Sequence, residues 1–153
     1  MANISNPRKK FNFTISIPTA PIDPFLVQNV EIPEREIEVV EHGDTNHDIK
    51  TGGRVKIGMI TLEKISTTTG ADVYFEDWML LVQNEVIGGG SAPAIYKKLI
   101  IITELAEDGT TQINQWTAIG CWPSKRNSIS LDRTESDNTI ESVELCVDKL
   151  VKL

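Results

Sequence analysis

The sequence predicts a mainly β fold, an antiparallel β-sandwich or barrel carrying one packed α-helix at about 72–86. Three observations carry that prediction. Phe11-Asn12-Phe13-Thr14-Ile15-Ser16-Ile17 alternates apolar and polar residues without a miss, the period of a strand with one buried face. Phe75, Trp78, Met79, Val82 and Val86 fall at i, i+3, i+4, i+7 and i+11, a single helical stripe. Asp108-Gly109 lies between two strand-like runs, the position of a hairpin turn.

Along the chain, residues 1–10 are polar and contain Pro7, which predicts a flexible N-terminal arm ahead of one β domain over 11–153. Pro18, Pro21 and Pro24 close the first strand, because proline donates no ladder hydrogen bond. Phe25 to Ile32 reads as a second strand and Glu36 to Val40 as a third with an acidic face. Residues 41–53 are polar, hold Gly43, Gly52 and Gly53, and show no periodicity, so they read as an extended loop. From Arg54 to Met59 the alternation returns, and Ile60 and Leu62 continue it on the other parity, with Gly58 at the switch. Thr69 or Asp72 can cap the helix, and Gly88-Gly89-Gly90 ends it. Leu99-Ile100-Ile101-Ile102 is apolar on both parities and predicts a strand covered on both faces. Thr111 to Ile119 and Thr139 to Val147 complete the strands, on either side of a corner at Trp122-Pro123.

Composition narrows the function. The 153 residues hold 22 acidic and 15 basic side chains, a net charge of −7. Nucleic-acid binders neutralise phosphates with Lys and Arg, and this chain should repel them; its densest basic cluster is Arg8-Lys9-Lys10. No run of 18 apolar residues exists, so membrane anchoring is not expected. Cys121 and Cys146 alone do not make a disulfide framework, which points to a reducing cytoplasm.

No catalytic, cofactor or metal site is expected. Asp44-x-Asn46-x-Asp48 opens like a calcium loop, but Ile49 and Val55 stand where glycine and glutamate are required. His42 and His47 lack further zinc ligands nearby in the chain. Gly88-Gly89-Gly90-Ser91 follows a helix instead of preceding one, so no helix N-terminus faces a phosphate there. Carboxylates such as Glu36, Glu38, Glu144 and Asp148 fall on the polar parity of strands, where solvated residues belong.

Edge strands offer another explanation. Leu99 to Ile102 and Val143-Glu144-Leu145-Cys146-Val147 carry little protection against pairing with other chains. Such a chain either closes into a monomeric barrel, able to hold a small ligand near Trp78 or the Trp116–Trp122 corner, or uses its edges for assembly.

Several stretches decide between these. They are Pro24 to Glu36, Glu41-His42-Gly43 with the strand around Val55 to Leu62, and Trp116 through Leu145 with Trp122-Pro123-Ser124-Lys125, Leu131-Asp132 and Ile140-Glu141-Ser142-Val143-Glu144-Leu145. In order and spacing, over roughly 11–150, they resemble the tail tube protein family of contractile-tailed bacteriophages, related to the tubes of type VI secretion and phage-like injection systems. The resemblance implies hexameric rings stacked into a hollow conduit for genomic DNA, which passes without specific binding. It implies self-association and contacts with tail sheath, baseplate or initiator and terminator proteins. It further implies a place in the virion tail after assembly in the host cytoplasm; a tube for injected or secreted protein is the alternative. His42, Gly43, Asp44, Asn46, His47, Lys50 and Gly52 become the arm reaching a neighbouring subunit. Glu36, Glu38, Glu144 and Asp148 become candidate lumen acids, since a ring of six carries about −42 formal charges that would repel passing phosphates.

Overall fold

A computed structural model describes residues 12–17, 27–65, 74–129, 131–137 and 139–153. The expected N-terminal arm and the helix caps Thr69 and Asp72 lie outside them. The body is one seven-stranded antiparallel sheet, rolled so that its inner face is the core. Its order is β1 (Phe13–Ser16), β8 (Lys98–Leu105), β9 (Gln112–Arg126), β10 (Ile140–Cys146), β5 (Ile60–Ile65) and β2 (Val27–Glu31), with β11 (Lys149–Lys152) also paired to β9. Strand alternation works as expected here: Ile60 and Leu62, Ile100 and Ile102, and Val143 and Leu145 point inward and are essentially inaccessible. Each such side chain contributes about 1.5–3 kcal/mol through burial.

Strand β9 organises the body, and no corner occurs at Trp122-Pro123. Its first half pairs with β8 on one side and β11 on the other, and its second half pairs with β10. Between them Gly120 adopts φ 71°, so the inward parity passes from Ala118 to Cys121. A side chain there would meet Asp148, its Cβ only 2.8 Å from the Asp148 Cγ, so glycine is required twice over. Pro123 is accommodated because it lies opposite Leu145, where the β9–β10 register slips. Cys121 is buried, and that burial pushes its thiol up to about 12. Cys146 pairs with Trp122 and so projects from the other face of the sheet; both cysteines are free.

Helix α1 (Tyr74–Val82) is shorter than the predicted 72–86. Phe75 and Trp78 are buried, with Trp78 donating through Nε1 to the Tyr96 carbonyl at 2.6 Å, in the short helix α2 (Pro93–Tyr96). The helix stops because Asn84 Oδ1 accepts the N–H groups of Val86 and Ile87, at 3.0 and 3.3 Å, and Gly88 turns at φ 72°. The two-residue strands β6 (Gln83–Asn84) and β7 (Gly89–Gly90) then pair. Val86 therefore sits 84 % exposed on a turn instead of completing the apolar stripe.

The body also holds a buried ion pair. Lys64 and Glu141 lie directly opposite on β5 and β10, 2.9 Å apart, with side chains 1 % and 5 % exposed. Lone charges in strands read as solvated positions; only the register shows that these two share the inner face.

Candidate subunit interface

The segment predicted as a loop at 41–53 is a hairpin of two long strands, β3 (Arg35–Gly43) and β4 (Asp48–Ile57). It continues the β2–β5 ribbon past a joint at Pro33 and Gly58, where the Gly58 N–H donates to the Glu34 carbonyl at 3.0 Å. Ten extended residues reach on the order of 30 Å. Gly58 thus marks the end of one strand and the start of another, at the predicted switch of parity.

Six of the seven predicted arm residues lie in the outer half of this hairpin, and Gly52 lies at its middle. Asp44, Asn46 and His47 form its turn; the Asp44 carboxylate accepts the Thr45 N–H at 2.7 Å, and the Asp44 N–H donates to the His47 carbonyl at 2.9 Å. Gly43 faces Asp48, His42 faces Ile49, and Gly52 faces Val39. Lys50 faces Glu41 across a loose, exposed ion pair of 3.9 Å.

The inner half of the arm was not predicted as interface, yet it carries the apolar surface. Ile37, Val39 and Val55 share one face and are 54 %, 63 % and 47 % exposed. The other face bears Glu36 opposite Lys56, and Lys56 pairs with Glu38 at 2.7 Å. The missed signal was the parity of Ile37 and Val39 against Val55 and Ile57. Farther out the sorting lapses, with Val40 and Ile49 exposed on the charged face and Glu41 and Lys50 on the apolar one.

The body shows a related feature. On β8, Ile100 and Ile102 are buried, but Leu99 on the outer face is 37 % exposed. Among the described residues the expected cover on both faces is therefore incomplete, with Leu99 exposed and Ile101 half-buried on the outer face.

Comparison with known proteins places this geometry. The family model for the T4-like virus tail tube protein gp19 matches residues 9–151. The chain belongs to that tail tube family. Tail tube protein gp19 of Enterobacteria phage T4 is 27 % identical over 125 residues, covering 79 % of this chain and 75 % of the T4 protein. Two solved structures share the fold. One is the tube-terminating cap of the anti-feeding prophage, with a TM-score of 0.82 at 18 % identity, covering 100 % of this chain and 95 % of that one. The other is the sheath-tube complex of the PVC extracellular contractile injection system in its extended state, with a TM-score of 0.78 at 20 % identity, covering 98 % and 93 %. The role that follows from the family is structural, in the tube of a contractile tail.

The four candidate acids of this tail tube protein do not converge. Glu36 and Glu38 lie on the arm, and Glu38 is paired. Asp148 sits beside Gly120 and accepts from Lys97 at 2.6 Å, a bond that raises the Lys97 pKa above its ordinary 10.5. Glu144 stands on the outer face of β10, opposite Thr61 and Lys125. The register puts Glu63 and Glu31 on that same face, a grouping that single-strand parity could not reveal.

Two clefts lie near the expected tryptophans. One, about 640 Å³, opens between β1 and β2 and is lined by Phe13, Val30, Ile102, Glu104 and Trp116 among others. A smaller groove of about 400 Å³ runs between α1 and the second half of β9, past Trp122. Among the described residues no helix is long and apolar enough to cross a membrane.

Proposed function

We propose that this tail tube protein forms hexameric rings that stack into a hollow conduit inside a contractile sheath, and that it works without catalysis. The observation that carries this reading is the β3–β4 arm. Among the described residues nothing covers Ile37, Val39 and Val55 on its inner half, and its reach suits contact with a neighbouring copy. Sheath, baseplate or initiator, and terminator proteins are its further partners, as the sheath-tube and cap structures of related fold suggest. Assembly takes place in the host cytoplasm, and genomic DNA passes down the lumen.

The outer face of β2, β5 and β10, with Glu31, Glu63 and Glu144, suits a lumen wall that repels phosphate. Asp148 and Glu38 suit it less, because each carboxylate is held in an ion pair, with Lys97 at 2.6 Å and Lys56 at 2.7 Å.

Negative-stain electron microscopy over a concentration series, with light scattering for mass, tests the assembly. Rings or tubes with a central hole are expected; a protein that stays monomeric even with tube fragments as nuclei refutes it. Exchanging Glu31, Glu63 and Glu144 for Lys in assembled tubes should slow genome release. The fold likeness to injection-system structures favours one second reading, a tube carrying protein, and the cargo recovered from intact particles separates the two.

A further inference from the structure

Resting on the tube reading, we propose that the loop between β9 and β10 is the surface on which the inner half of an arm from the next ring docks. The loop lies at the pole of the body opposite the arm. Strands β2 and β5 enter the arm past the Glu31–Thr61 pair, at the joint where Gly58 bonds Glu34. The other end of that ribbon is marked by Val27 opposite Lys64, and by Ile140 opposite Ile65. Strand β9 runs toward this second end. Its Arg126 faces Val143, and the Asn127 N–H donates to the Ser142 carbonyl at 2.9 Å. The loop therefore emerges beside Ile140.

This pole carries apolar surface that the body does not absorb. Among the described residues nothing covers Leu131, which is 81 % exposed, and Ile129 and Ile140 are exposed too. The turn behind Leu131 is held in shape, because Asp132 Oδ1 accepts from the Thr134 N–H and hydroxyl at 2.9 and 2.8 Å. A surface shaped in advance loses little freedom on binding.

Polarity and charge identify the occupant as a second copy's arm. A stack that grows without closing needs two different, complementary surfaces at opposite ends of the subunit. The arm offers one, with Ile37, Val39 and Val55 exposed on the half nearest its own body, and the loop offers the other. On the arm, Arg54 stands next to Val55 and forms no ion pair among the described residues. In the loop Asp132, Glu135 and Asp137 outnumber Arg133, so the loop attracts that arginine.

Disulfide trapping in assembled tubes tests this. In a chain carrying Cys146→Ser, the pair Val39→Cys and Leu131→Cys should cross-link under mild oxidation into a ladder that runs past the hexamer, since each copy is tied to one in the next ring. The pair Val39→Cys and Val151→Cys should not. Tubes that give no cross-link, a ladder that ends at the hexamer, or cross-linking of the Val151 pair instead overturns the proposal and leaves the tube reading intact. A protein that never assembles, even with tube fragments as nuclei, overturns both. As a second arm, Arg54→Glu should raise the concentration needed for tubes by at least about tenfold while the subunit's thermal melt stays unchanged. Adding Glu135→Lys and Asp137→Lys to that chain should restore assembly, whereas the two loop lysines alone, facing Arg54, should weaken it. Normal tubes from Arg54→Glu, or a loss that the loop lysines do not restore, would also overturn the proposal. Should the cysteine variants fail to fold, the charge exchange decides.

Discussion

The body and the arm are built from the same kind of strand and differ in what covers them. In β5 and β10 alternate residues are sealed in a shared core, down to the Lys64–Glu141 pair. In the inner part of β3 and β4 the residues are sorted too, Ile37, Val39 and Val55 on one face and Glu36, Glu38 and Lys56 on the other. Farther out Val40 and Ile49 share the charged face and Glu41 and Lys50 the apolar one. Yet every residue of these two strands except Glu38 and Ile57 is exposed. Sorting of side chains onto faces therefore reports that a strand exists; it does not report which molecule supplies the cover. In the body the cover is the chain itself. In the arm, under the tube reading, it is another copy.

That contrast can be broken from the body's side first. Lys64→Ala leaves the Glu141 carboxylate buried without its lysine and should cost about 3–5 kcal/mol in urea unfolding. The paired change Lys64→Met with Glu141→Leu should recover most of that loss. Gly120→Ala should cost about 2 kcal/mol, from the left-handed backbone and from displacing Asp148, with a matching fall in melting temperature.

From the arm's side the two readouts should separate. Val39→Ser and Val55→Ser remove exposed groups and should change subunit stability by no more than about 0.5 kcal/mol. Each should raise the concentration needed for tube formation by about tenfold, as expected if about 1.4 kcal/mol of interface burial is lost. A large loss of subunit stability would show that the arm packs on its own body.

The smallest effect concerns the β8–β9 turn. There the Asp108 carboxylate accepts from Thr111 and Thr110, which lowers its pKa from 3.8 to about 2. Because the folded value lies below the unfolded one, its stabilising contribution is full above about pH 4 and fades as the pH falls toward 2. Asp108→Ala should thus lose a slight stabilisation at pH 7 and show a flatter stability profile between pH 4 and 2, measurable by thermal melts.

Much of this was legible in the chain. Strands with one buried face declared themselves, as did the Asp108-Gly109 hairpin and the break at Gly58. The arm did not, because Gly52 and Gly53 and the charges around them interrupt the alternation at 41–53. The helix end was hidden for a different reason: Val86 fits the stripe, but the Asn84 side chain captures the amides that would have continued the helix. For the candidate site, the distal arm residues could be named from resemblance, while its apolar face needed the register of β3 against β4. The same holds for the acids, since only strand order brings Glu31, Glu63 and Glu144 together.

Strand β9 has a mechanical consequence. Its 15 residues run unbroken through both halves of the sheet, bonded laterally to β8, β10 and β11. Hydrogen bonds in an antiparallel ladder lie across the strand, so a load along β9 strains several bonds in parallel instead of peeling them singly. A pull at right angles would unzip them in sequence. The subunit is therefore anisotropic, stiffest along one strand, and the direction in which β9 points within a tube would set the thrust that its wall can bear.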